Sequence, residues 1–368
     1  MSQQLVTVLA TSIAIVDQFQ DAISPSTLAQ STQTPTKDAK PLPLLSASSS
    51  ALKAQVTKLS LLSITTPFTH SAVTKILRDC NDSVLPSLLT AILLVNPAEH
   101  TKTFHSETLA LVRILFTELA TLLKIVKAIS EKKDQAKKED PKSKEEEIVK
   151  AEKDAITLAT GRVWDACDSV VQVATNGVVG FITRRVEQWR DLVRDAVEEL
   201  ENWDPAEDDD FFDDILGDEK DEEEDAGSKD SDDEENIAAM QEQKKSTLRF
   251  LKPIAQVYSA IITYRLKKAN DAPLASAGNV ARLEKLIVSL QSIPDQVDEV
   301  AGALYEEDAP RSVEFLQKIH EFASQAVESV AAPWSDEAED KFTVWSRTWS
   351  KVMEEVSKSI RPDAVAEA

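Results

Sequence analysis

A chain of 368 residues, 42% of them hydrophobic, is long enough to bury the cores of two domains, which excludes a purely disordered protein. Seven glycines leave little room for a glycine-rich phosphate loop, and neither G-x-G-x-x-G nor G-x-x-x-x-G-K-[ST] occurs. A formal net charge of −23 argues against binding nucleic acid or anionic membranes, where clustered lysine and arginine would be needed.

In chain order, Leu5, Leu9, Ile13, Val16 and Phe19 recur at helical spacing and predict a first helix to about Ile23, stopped by Ser24 and Pro25. The same run lacks a basic leader and is interrupted by Asp17, so it is expected to fold as a helix rather than serve as a signal peptide. Residues 26–43 are rich in Ser, Thr, Gln and Pro and predict a linker. Helices are expected over 48–62 and 69–95, the second divided near Asn81–Ser83 by Pro86. Leu109, Val112, Leu115, Leu119, Leu122 and Val126 form the clearest amphipathic stripe of the first half.

Past Ile129 the chain becomes a charged connection, and Ser143 with Glu146 has the spacing of a capping box that restarts a helix. That helix should run through Ile156, Val163, Trp164, Cys167 and Val171 to Asn176 and Gly177, a common C-terminal pair. Ile182, Val186, Trp189, Val193, Val197 and Leu200 then line one face of the next helix. Arg184, Arg185, Arg190 and Arg194 alternate with Glu187, Asp191 and Asp195 on the opposite, solvated face. Residues 201–235 hold about twenty acids against Lys220 and Lys229, so one tract carries most of the negative excess.

Beyond it, Leu251, Ile254, Val257, Ile261 and Tyr264 mark another helix, with Pro253 inside or near its first turn. Further helices are expected over Val280–Ser292, Val313–Val330 and Asp336–Ile360, the last capped by Ser335 and turning Phe342, Trp345, Trp349, Val352 and Val356 inward. No stretch alternates as a strand would. The expectation is an all-α protein of two antiparallel helical bundles. Its N-terminal domain spans 1–203 with flexible linkers at about 25–45 and 131–143, an acidic disordered loop covers 204–235, and a C-terminal bundle covers 236–362.

Chemistry is sparse. His100 and His105 are five apart rather than the four of a helical zinc pair, and the residue three before His320 is Gln317, not the Glu of a di-iron bundle. Cys80 and Cys167 form no CxxC motif or disulfide framework, which points to a reducing compartment; Cys167 is expected to pack in the core beside Trp164. Trp345 and Trp349 are expected to be core rather than a recognition platform. No catalytic, cofactor or metal residue is assigned, and neither a membrane nor a small-molecule substrate is expected.

Within the acidic tract, Phe211, Phe212, Ile215 and Leu216 present a short apolar side that can dock into a groove, on a partner or on the chain's own bundle. Ser231, followed by Asp232, Asp233 and Glu234, is an acid-directed phosphorylation candidate. Lys132, Lys133, Lys137, Lys138, Lys142 and Lys144 suit a weak nuclear import signal or a solvated linker.

A W-x-A-C helix at Trp164–Cys167, then RDLVRDAVEELENWDP over Arg190–Pro205, an acidic loop and a helical C-terminal half resemble the GCIP family of cyclin-D-binding proteins, over about Leu59–Ile360. The linker near the N-terminus and the Lys-rich connection depart from that pattern and suggest a divergent member. The resemblance implies vinculin- and α-catenin-like bundles, residence in nucleus and cytoplasm, no catalysis, and binding of cyclin-like or helix-loop-helix regulators. The alternative expectation is a vinculin-like cytoskeletal or junctional adaptor.

Overall fold

Where leucine, valine and isoleucine recur three and four apart, the computed structural model forms helices; it describes residues 2–28, 40–139, 149–205, 231–267, 274, 276–334, 339–358 and 360. The protein is all-α, with no strand among the described residues. It divides into two compact units, Met1–Phe181 and Ile182–Ala368.

Unit 1 contains α1 (Ser2–Ala22), α2 (Pro25–Leu28), α3 (Pro41–Ile64), α4 (His70–Asp79), α5 (Leu85–Leu94), α6 (Pro97–His100), α7 (Lys102–Glu139) and the first part of α8 (Lys150–Asn202). α1 packs on α7 and α4, while α3 packs on α5 and α4. All six residues of the expected α7 stripe are buried, each side chain worth about 1.5–3 kcal/mol of transfer free energy. α3 starts seven residues earlier than expected because Pro41 stands in its first turn, where the missing amide is no loss. α7 continues to Glu139, ten residues into the stretch that had looked like a linker. Lys, Glu, Gln and Ala are good helix formers, and polarity alone does not end a helix.

The division expected near Asn81–Ser83 is instead a widened π-helical turn, Cys80–Val84, closed by a bond from the Leu85 amide to the Cys80 carbonyl. Pro86 follows at the start of α5, and the wide turn accommodates a ring that a regular helix would drive into the carbonyl four residues back. In α8 the break expected at Gly177 is present: φ 65° and ψ −174° lie in a region open essentially to glycine alone. The Ser143–Glu146 capping box lies outside the described residues.

Unit 2 contains the rest of α8, then α9 (Ser231–Ile261), a second π turn (Ile262–Leu266), α10 (Ala277–Tyr305), α11 (Ala309–Ser329) and α12 (Lys341–Lys358). α10 and α11 form a hairpin, and α9 packs on α10, α11 and α12. α10 continues through Pro294 to Tyr305, past the end near Ser292 expected from the sequence. The stretch 182–203, assigned from sequence to the N-terminal domain, groups with unit 2. Its Glu187 pairs with Lys267 at 2.9 Å and its Glu201 with Lys252 at 2.6 Å, and Trp203 meets Tyr305 edge-on at 5.0 Å between ring centroids.

The cap of α12 is Asp340, whose Oδ1 accepts from the Thr343 amide at 3.0 Å; Ser335 and Asp336 lie outside the described residues. Val352, expected inward, is 41% exposed and Met353 takes the buried place; Trp345, also expected in the core, is only half-buried while Ser346 beside it is buried, so the inner stripe is Phe342, Ser346, Trp349, Met353 and Val356.

Candidate interaction surfaces

A cluster of buried and half-buried polar side chains surrounds the chain that leaves α11. The second π turn, with one residue more than an α turn, carries Arg265 inward, whereas the sequence pattern had placed Tyr264 on the inner face. Arg265 is 2% exposed. Its Nε donates to the Val330 carbonyl at 2.7 Å, and Nη2 donates to the Ala331 carbonyl at 3.1 Å and to Asp340 Oδ1 at 3.0 Å. Nη1 donates to Asp340 Oδ2 and to its neighbour's carbonyl at Tyr264, so all five N–H groups are engaged, and the guanidinium lies 4.4 Å from the Phe342 ring centroid. Two hydrogen-bonded oxygens on one guanidinium hold the Asp340 carboxyl well below the usual carboxylate range.

Arg282 completes the arrangement, donating from Nε to the Ser329 carbonyl at 2.9 Å, from Nη2 to Ala332, and from Nη1 to Pro333 at 3.3 Å. Asn279 Nδ2 donates to the Trp334 carbonyl at 3.0 Å, and Trp334 Nε1 returns a bond to the Arg265 carbonyl at 2.7 Å. Six successive carbonyls, Ser329 to Trp334, thus each accept from a side chain. These donors are committed to the fold, and the cluster is a clamp on the loop rather than a reaction centre.

The remaining candidates resolve one by one. Trp349 is 5% exposed with Nε1 donating to the Pro253 carbonyl at 3.0 Å, so the core reading of this tryptophan holds. Cys80 and Cys167 are free and buried, and burial pushes both thiols up to about 12, away from nucleophilic use. Trp164 does not share the core position of Cys167: it is 37% exposed, while Val163, Ala166, Cys167 and Val170 face inward. His105 is lowered by burial and by nearby His100; no group of three or more His, Cys, Asp or Glu suited to a metal occurs among the described residues. No described helix is long and apolar enough to cross a membrane. Lys132 pairs with Glu152 at 2.7 Å and Lys133 lies 4.9 Å over the Phe68 ring, so both are engaged within unit 1. Phe211, Phe212, Ile215 and Leu216 lie outside the described residues; Ser231 opens α9, but its side chain is likewise outside them.

Two surfaces carry exposed recognition chemistry. On unit 1, Lys53 bridges both oxygens of Asp168 at 2.6 and 2.7 Å and lies 5.9 Å from the Trp164 ring centroid, joining α3 to α8 with an aromatic face partly open to solvent. On α8 in unit 2, the expected charged face is solvated: Arg190 pairs with Asp191 and Arg194 with Asp195, and Leu192 stands 57% exposed among them. The first surface was not legible as a site, because Lys53 and Asp168 are 115 residues apart and each looks like an ordinary helix charge.

Compared with known families, residues 44–206 match the family model described as Grap2 and cyclin-D-interacting, N-terminal, a range that takes in α3 to α8. No curated protein matches the chain.

Proposed function

We propose that this chain, which belongs to the GCIP family through its residues 44–206, acts without catalysis as a protein-interaction regulator of cell-cycle progression or transcription. The observation that carries the reading is the family match itself, whose description is of cyclin-D-interacting proteins. It falls on the helices that display Lys53, Trp164 and Asp168, a surface with the aromatic-and-cation character of protein contacts. Buried, protonated thiols and arginines committed to the fold support a binding role over a chemical one. The partners are cyclin-like or helix-loop-helix regulators, met in nucleus and cytoplasm. The chain's negative charge makes any effect on transcription indirect.

Calorimetric titration of the purified chain with a D-type cyclin, and separately with a helix-loop-helix dimerisation domain, tests this. The expected result is saturable binding to one of them, weakened by about tenfold or more in Trp164→Ala. Saturation by neither, with cosedimentation on actin filaments instead, would replace this reading with that of a cytoskeletal adaptor.

A further inference from the structure

Acids outnumber bases 64 to 41 over the whole chain, yet the balance reverses in one cleft of unit 2. The end of α8 and the residues after it (Glu201, Trp203, Asp204, Pro205) form one wall, and α9 forms the other with Lys244, Lys245, Leu248, Arg249 and Lys252. The cleft is open to solvent and its volume is about 700 Å³, room for a segment of extended chain. Lys245, Arg249 and Lys252 stand at i, i+4 and i+7, so they share one helix face with axial steps of about 6 and 4.5 Å.

Four cations therefore face two acids, and they are not equally committed. Lys244 is structural: its Nζ donates to the Glu201 carbonyl at 2.9 Å and to that of Trp203, covering carbonyls left open where α8 ends. Lys252 neutralises Glu201 at 2.6 Å. Lys245 reaches Glu242 at 3.3 Å with side chains 77% and 72% exposed, a pair that solvent screens and a ligand can displace. Arg249 is exposed and has no ion-pair or hydrogen-bond partner among the described residues. Half-buried Leu248 and Trp203 add apolar surface between the charges.

We propose that this cleft is a docking site for an acidic peptide segment of a protein partner. Carboxylates engage Arg249 with Lys245 and Lys252 on either side, and an apolar side chain rests on Leu248 and Trp203. Charge complementarity selects the peptide: the cations are confined to about two turns of one helix face, a span that a short acidic segment matches and a long polyphosphate backbone would overrun. The proposal does not depend on a cyclin-like partner, since the cationic wall lies outside residues 44–206.

Fluorescence anisotropy of a labelled twelve-residue probe of Glu and Asp with two Leu tests it against the full-length chain. A second full-length chain carries Asn and Gln in place of the acids between 207 and 225, so that the chain's own carboxylates are removed as alternative ligands. The expected result is saturable binding to at least the second chain, weakened about tenfold or more by Arg249→Glu and lost as salt shortens the Debye length. Lys351→Glu, an exposed change on α12, should leave it unaltered. No saturation with either chain, undiminished binding by both Arg249→Glu and Lys245→Glu, or equal binding of an Asn/Gln version of the probe would each overturn the proposal. Circular-dichroism melts matching the parent chain exclude loss through unfolding.

Discussion

Among the described residues each unit contains one π turn, and the two put the extra residue to different use. In unit 1 the turn at Cys80–Val84 brings Asn81 against Ser12, one neutral bond of 2.9 Å, and leaves Asn81 Oδ1 buried without a partner among the described residues. In unit 2 the turn at Ile262–Leu266 brings in an arginine whose five donors are all met. The same backbone device thus serves a mostly apolar core in one half and a polar lock in the other. A buried charge is tolerated only where its whole donor set is satisfied.

Breaking the lock should have the largest effect. Arg265→Met leaves the Val330 carbonyl without its donor and Asp340 without its guanidinium, and should cost unit 2 about 4 kcal/mol. Hydrogen exchange resolved by segment checks it: protection should fall in α9 to α12 and stay in α1 to α7. Trp349→Ala removes a buried ring and its bond to Pro253, for about 3 kcal/mol in the same unit. An unshifted thermal melt would contradict the core assignment. Asn81→Ala should cost about 1 kcal/mol or less, because it deletes an unsatisfied acceptor together with one hydrogen bond. A loss as large as that of Arg265→Met would erase the contrast between the units.

The stripe of α7 and the break at Gly177 were legible because each depends on residues close in sequence. The clamp was not, since Arg265 and Asp340 are 75 residues apart and neither differs locally from a solvated helix charge. Face assignments failed where a turn changed or two neighbours were both apolar: Arg265 in place of Tyr264, and Met353 in place of Val352. Among candidate sites, the Cys167 thiol was anticipated as a packing group, whereas no packing role had been read for Cys80, which is also buried. The surface of Lys53, Trp164 and Asp168 needed the pairing of two helices that no single-chain periodicity supplies.

The finest separation of the two units is by pH. The Asp340 carboxyl is depressed, so its contribution is fully present above the unfolded value of about 4 and is lost as pH falls through the folded value, which gives unit 2 an acid limb. Cys80 and Cys167 are raised to about 12, so the folded state of unit 1 holds protons that the unfolded chain releases, and stability falls from about pH 9 upward. His105 and His320 are both lowered by burial; they weaken both units as pH drops below about 6.5 and do not discriminate. Denaturant titrations should show the difference. Tryptophan fluorescence follows unit 2, which holds five of the six tryptophans, and thiol labelling of Cys80 and Cys167 follows unit 1. Asp340→Asn should flatten the acid limb alone.

A helix that has absorbed one surplus residue can also return it. At Cys80–Val84 the exposed Asp82 and Ser83 are the residues whose removal would let the wide turn tighten, leaving the packed segments on either side nearly in register. Related chains one residue shorter at this position can therefore share the same core, and a length difference there is a trace of sequence drift rather than a change of architecture.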